Sequence, residues 1–206
     1  IKITGVVASG AKGMKESLEA RMPIDSSSVR TIADGIAVRD VNPKLLDIIL
    51  EYVDEIVEVS DNETANAILF LLEKHKLMVE GAGAVSVAAI MHDKVNIENK
   101  KVCAVVSGGN IDVTMLSIII EKGLIKSHRK MNLIVTLMDK PGALMHLTDI
   151  FTQCSANIVE IDFDRNSVKL EFGEAYVTIA LATKGEEHQE QIRENLKQNG
   201  YRFKQI

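Results

Sequence analysis

The sequence predicts an α/β protein in two parts: a parallel sheet covered by helices over residues 1–125, then a βαββαβ unit over 126–206. Three observations carry this. In the first part, short β-branched runs alternate with segments of helical period, as parallel strands joined by crossover helices do. From Met131 onward, strand-like segments alternate apolar and polar residues with period two, the mark of antiparallel strands. Between the two parts lies the basic, polar stretch KGLIKSHRK, residues 122–130, a natural seam.

The elements follow in order. Ile1 to Val7 reads as a strand, and Gly10 to Met22 as a helix with Met14, Leu18 and Met22 on one face. Asn42-Pro43 starts a helix, a cap followed by proline at the first helical position, and Leu45, Ile49, Tyr52 and Val53 keep its period. Glu55 to Val59 is a short strand. Ser60-Asp61-Asn62-Glu63 is a capping box, in which Ser60 and Glu63 satisfy each other's free amides. The helix behind it carries Thr64, Ile68, Leu71, Leu72 and His75. Gly81 to Met91 is small and apolar, a helix that must pack closely; Lys101 to Val106 reads as a strand and Ile111 to Glu121 as a helix.

In the second part, Met131 to Met138 is a strand and Pro141 to Cys154 a helix with Leu144, Leu147, Phe151 and Cys154 at i, i+3 and i+4 spacing. Asn157 to Arg165 puts Val159, Ile161 and Phe163 on one face and Glu160, Asp162 and Asp164 on the other, a half-exposed antiparallel strand. Ala175 to Thr183 alternates likewise. Glu187 to Asn199 is a polar helix anchored by Ile192 and Leu196, Gly200 stops it, and Tyr201 to Lys204 closes as a strand. The order βαββαβ is the split, ferredoxin-like arrangement.

The bulk numbers exclude several classes. A net charge of −5 with scattered Lys and Arg argues against nucleic acid; the cluster Lys126, His128, Arg129, Lys130 reads as a solvated linker. Cys103 and Cys154 sit in apolar patterns without metal spacing and read as buried thiols of a reducing compartment. No run approaches the roughly 20 apolar residues that span a bilayer, and the first residues lack signal-peptide architecture, so a cytoplasmic protein is expected. The opening strand begins at Ile1 itself, and the chain is expected to be a piece of something longer.

Chemistry concentrates where strands end. VVSGGNID, residues 105–112, runs a strand into Ser107, Gly108, Gly109 and Asn110. Two glycines let backbone approach a flat ligand or a phosphate, the amides opening the next helix carry positive partial charge, and Ser107 and Asn110 supply donors and acceptors. A plain strand-to-helix turn capped by Asn110 or Asp112 accounts for the same letters. MVEGAGA, residues 78–84, adds a second turn with a carboxylate, Glu80, and TIADG, residues 31–35, a third with Asp34. Read singly, Glu80 is a helix-start acid and Asp34 a turn former.

Together, TIADG, VEGAGA and VVSGGNID resemble the carboxy-terminal half of the catalytic domain of threonine dehydratases (threonine ammonia-lyases), pyridoxal-phosphate enzymes of fold type II whose group includes serine racemase. The resemblance runs through residues 1–125. It implies that the Ser107 hydroxyl faces the pyridine nitrogen of pyridoxal 5'-phosphate, that Gly108, Gly109 and Asn110 line the same pocket, and that Glu80 lies close to the ring. A neutral hydroxyl there leaves the ring nitrogen largely unprotonated, which favours loss of a β-hydroxyl over transamination; the cofactor carries the difficult chemistry. The resemblance implies an amino-acid substrate, L-threonine and L-serine, deaminated to a 2-oxo acid and ammonia. The family's Schiff-base lysine motif does not occur here, and Lys12 and Lys15 read as solvated, so no catalytic residue is assigned to this chain and it is not expected to turn over by itself. Ala8 stands where racemase-like relatives carry a metal-binding glutamate, so no metal is expected.

DKPGAL, residues 139–144, and ANIVEIDFDR, residues 156–165, resemble an ACT domain, a small amino-acid-binding module. This implies an effector, such as a branched-chain amino acid, at Gly142, Ala143, Leu144, Asn157 and Ile158, and a homo-oligomer formed through this domain. The alternatives are a racemase-like enzyme of the same fold, a non-catalytic amino-acid sensor with the truncated sheet as scaffold, and nucleotide binding at Ser107 to Asn110.

Overall fold

The computed structural model describes residues 1–206, and the chain divides into two compact units, Ile1–Ile120 and Glu121–Ile206. In the first unit, β1 (Thr4–Ala8) and β2 (Glu55–Val59) pair in parallel, Thr4 opposite Glu55 and Ala8 opposite Val59. Five helices follow the alternation: α1 (Gly13–Ala20), α2 (Pro43–Tyr52), α3 (Asp61–Phe70), α4 (Gly81–Met91) and α5 (Val113–Lys126), which runs on past the unit's end. Asn42 caps α2, accepting the Lys44 amide at 3.0 Å. At α3 both halves of the capping box form, with Ser60 N–H donating to Glu63 at 2.7 Å and Glu63 N–H to the Ser60 hydroxyl at 3.2 Å. A π turn, Leu71–His75, extends α3.

The core of this unit is built from small residues. Ala8, Ala67, Ala84, Ala88 and Ala89 are buried beside Val59, Ile68 and Leu71, so α4 lies close against α3 and the two strands. A helix with a wide alanine and glycine surface gains its stability from close backbone approach and has no room for larger side chains. No helix is long and apolar enough to cross a membrane.

Two expectations for this unit are corrected. Lys101 to Val106 is not a strand: neither β1 nor β2 pairs with it, and without a ladder partner its β-branched residues stand in solvent, Val105 at 71% exposure. Cys103 on the same segment is exposed; only Cys154 is buried, where desolvation raises its thiol pKa.

In the second unit, β3 (Lys130–Met138), β4 (Asn157–Asp164), β5 (Glu174–Ala182) and β6 (Arg202–Gln205) form a fully antiparallel sheet in the order β4-β5-β3-β6, with α6 (Ala143–Gln153) and α7 (Glu186–Gln198) on one face. This is the ferredoxin-like order. Met131, Leu133 and Val135 of β3 and Val177, Ile179 and Leu181 of β5 point inward against Leu147, Phe151, Ile192 and Leu196, all fully buried. Gln189 enters this interior and is satisfied there: it donates to the Lys130 carbonyl at 3.2 Å and the Thr183 hydroxyl at 3.1 Å, and accepts from Gln205 at 3.2 Å. His188 joins the two helices. Its Nδ1 accepts the Lys184 amide at 3.1 Å, which leaves Nε2 protonated to donate to the Cys154 carbonyl at 2.7 Å.

Two residues of the basic stretch face acids: His128 Nδ1 lies 2.6 Å from Glu186, and Lys130, the first residue of β3, lies 2.5 Å from Glu121. β4 also departs from simple alternation. A bulge between Ile158 and Glu160 leaves Val159 without a partner and 58% exposed, and puts Ile158, opposite Leu181, on the face of Ile161 and Phe163. Every β4 residue from Asn157 to Phe163 is exposed, because β4 is an edge strand.

Candidate functional site

The site of the first unit is assembled on one face of α4. Glu80, Gly83 and Ser86 recur every third residue at its start, and all three hold the segment 105–110. The Glu80 amide donates to the Gly108 carbonyl at 3.4 Å, and its carboxylate accepts the Asn110 amide at 3.1 Å. Ser86 donates its hydroxyl to the Val105 carbonyl at 2.7 Å. Between them Gly83 is a point of backbone contact: a Cβ there would stand 1.7 Å from the Ser107 carbonyl oxygen. Glu80 is therefore more than a helix-start acid. It leaves α4 without a side-chain cap and serves as a clasp on the neighbouring loop.

Glycine at 108 is required twice. Its φ is +78°, in the left-handed region, and a Cβ would meet the Glu80 carboxylate at 2.2 Å. The loop Ser107, Gly108, Gly109, Asn110 is exposed along its length, so the Ser107 residue and a surface without side chains at 108 and 109 are open to a ligand. A flat heterocycle fits such a surface, with a hydroxyl and an amide side chain at its margins. These residues fit the coenzyme that the resemblance implies.

TIADG closes the other side. A Cβ at Gly81 would meet the Ile32 carbonyl at 2.4 Å, and Gly35 lies against Ala82 and Glu80. Asp34 opens a short 3-10 turn, Asp34–Ile36, and is exposed. The loop is held by Asp61, which accepts from the Thr31 hydroxyl at 2.6 Å and the Ile32 amide at 3.2 Å. Sequence reasoning missed Asp61 and Ser86. Asp61 was visible only as a residue inside a capping box, whereas the spacing of Glu80, Gly83 and Ser86 was a readable signal.

A cavity of about 380 Å³ lies beside this arrangement, with Thr31, Asp34, Glu80, Asn110 and Asp112 among its polar lining and Met115 on its apolar wall. Ser107, Gly108 and Gly109 do not line it, so the loop surface and the cavity are distinct features that share Glu80 and Asn110.

In the second unit, Gly142 caps α6 with φ +86°, Ala143 is packed on the core, and Leu144 is partly exposed. Asn157 and Ile158 open β4. The ladder separates these two groups: Asn157 and Lys130 are both level with Ala182, whereas Gly142 follows the far end of β3. Within one chain they lie at opposite ends of the sheet, roughly 25 Å apart along the strands.

The parallel α/β unit falls in a class of coenzyme-dependent enzymes. The family model described as "Pyridoxal-phosphate dependent enzyme" matches residues 1–108, and the chain belongs to that family. An L-threonine ammonia-lyase of Thermotoga maritima is 41% identical over 201 residues, 98% of this chain and 50% of that protein. The chain spans about half the length of the curated relatives it matches first. Among solved structures, the processed form of threonine deaminase isoform 2 from Solanum lycopersicum is 31% identical with a TM-score of 0.52, covering 58% of this chain and 34% of that one. Maize serine racemase is 28% identical with a TM-score of 0.52, covering 62% and 40%.

Proposed function

We propose that this chain is part of an L-threonine ammonia-lyase, in which residues 1–125 complete the seat of pyridoxal 5'-phosphate and residues 126–206 form an amino-acid-sensing ACT domain. The observation that carries the first half is the docking of Ser107–Asn110 on α4 by Glu80, Gly83 and Ser86. The 41% identity to an L-threonine ammonia-lyase along nearly the whole chain supports the reaction: deamination of L-threonine, and of L-serine, to a 2-oxo acid and ammonia.

When bound, the coenzyme supplies the electron sink that lets the α-proton leave and the β-hydroxyl depart. Ser107 would donate its hydroxyl proton to the unprotonated ring nitrogen and add no charge there. Gly108 and Gly109 would let the ring approach the backbone and Asn110 would orient its polar edge, with Glu80 fixing the loop that carries them. The activity belongs to the whole protein. In the full-length protein, Ser107→Asp should shift the products from elimination toward transamination, and Ser107→Ala should weaken coenzyme binding with threonine deamination falling in parallel. Unchanged coenzyme affinity and product ratio in both variants would remove Ser107 from the site. Likeness to serine racemase supports a second reading, racemisation on the same seat; turnover of threonine against serine, with chiral analysis of residual serine, separates the two.

The ferredoxin-like unit, with a left-handed glycine opening α6, supports effector binding at Gly142, Ala143, Leu144, Asn157 and Ile158. Since Gly142 and Asn157 are far apart in one chain, the two groups would meet in a homo-oligomer, Asn157 coming from a second copy. An effector acts by binding one arrangement of copies better than another. Calorimetry of this chain with isoleucine, valine, threonine and serine tests this, and absence of heat with all four would leave the unit with assembly alone.

A further inference from the structure

The sheet of the second unit has helices on one face only, and its open face carries an ordered charge pattern. Residues opposite one another in the ladder share a face, so the open face reads in rows across the four strands. One row is Asp162, Thr178, Ile134, Lys204; the next is Asp164, Tyr176, Thr136, Arg202. Each row has an acid at the β4 edge, a base at the β6 edge, and half-buried uncharged residues between. Asp162 and Lys204 make no ion pair within the chain, while Arg202 already meets Glu174.

We propose that this open face docks on the same face of a second copy, about a two-fold axis parallel to the strands. Such an axis exchanges left and right while keeping level along the strands. It therefore sets Asp162 of each copy against the partner's Lys204 and Asp164 against the partner's Arg202, with Ile134, Thr136, Tyr176 and Thr178 between the rows. An axis perpendicular to the strands would instead face acid with acid and base with base. Two sheets that pack face to face keep their strands within about 30° of each other, which preserves the row-to-row match. The contact is isologous and closes at two copies. Continuing the sheet from β4 of one copy to β6 of the next would also pair opposite charges, but that contact is heterologous and does not close. Pairing of β4 with its own counterpart, the association that would bring Asn157 of one copy toward Gly142 of the other, leaves the open face uncovered and is compatible with this docking.

The inference gives a geometry to the homo-oligomer reading of this unit, and its test separates the two. The mass of the 206-residue chain is measured by sedimentation for wild type, Asp162→Lys and Lys204→Asp. Each reversal places like charges opposite each other and should weaken the association about tenfold or more, halving the mass at low micromolar concentration. The two variants mixed in equal amounts should recover the wild-type mass, because each then offers what the other lacks; this recovery also shows that both variants are folded. High salt should weaken the wild-type contact. A wild-type oligomer whose mass neither reversal changes overturns the face proposal and leaves oligomerisation standing. A wild-type monomer overturns both.

Discussion

Gly83→Ala is the sharpest test of how the site is held. The added methyl would start 1.7 Å from the Ser107 carbonyl oxygen and 2.7 Å from its carbon. Ordinary contact begins near 3.4 Å, so the segment carrying Ser107 must retreat by about 1.7 Å or α4 must shift by as much. Both sides are backbone, and neither can rotate away. Overpacking of this kind costs about 1–3 kcal/mol, and a contact this close belongs at the upper end. The retreat also stretches the bonds from Glu80 to Asn110 and from Ser86 to Val105, now 3.1 and 2.7 Å. Urea unfolding of the chain should show the lost stability, and amide exchange at Asn110 should quicken. In the full-length protein, displacement of Ser107 by more than 1 Å should lower threonine turnover about 100-fold. A variant with an unchanged urea midpoint, unchanged exchange at Asn110 and full turnover would refute the docking of this loop on α4.

Other outcomes follow from the same structure. Burial raises the Glu63 carboxyl, but hydrogen bonds from Lys94 and from the Ser60 amide and hydroxyl outweigh it and bring its pKa to about 2. A depressed pKa stabilises above the unfolded value near 4.5 and is lost as pH falls toward 2, so wild type and Glu63→Gln should differ by at most about 3 kcal/mol at neutral pH and converge near pH 2; acid denaturation followed by circular dichroism measures this. Gln189→Leu removes the donor to the Lys130 carbonyl and leaves the Gln205 amide without its acceptor, while the Thr183 hydroxyl keeps only its bond to the His128 carbonyl, and should cost about 1–3 kcal/mol in urea unfolding. Asp61→Ala removes the acceptor of Thr31 and Ile32, and exchange at the Ile32 amide should quicken while Asp61→Asn keeps most of its protection.

Local chemistry was legible where it depended on neighbours in sequence. Asn42, Ser60 and Glu63 cap their helices by contacts spanning two or three residues, and they are found as read. The inward alternation of β5 likewise fits the buried Val177, Ile179 and Leu181. Features that depend on a distant partner were not legible. The run from Lys101 to Val106 has strand residues, but a strand exists only with a neighbour, and β1 and β2 pair only with each other. The same exposure put Cys103 in solvent against its apolar surroundings in sequence. The bulge at Val159 adds one residue to an otherwise regular alternation, which no period-two reading reveals. At the candidate site, residue types pointed to Glu80 and to Ser107–Asn110. Their attachment to each other, with Asp61 holding TIADG thirty residues earlier in the chain, is tertiary information.

The imidazole between α6 and α7 has a mechanical consequence. A ring that accepts a hydrogen bond on one side and donates one on the other works as a short coupling rod between the two helices. Motion of α6 along its own axis must pull the Lys184 turn with it, and so the start of α7.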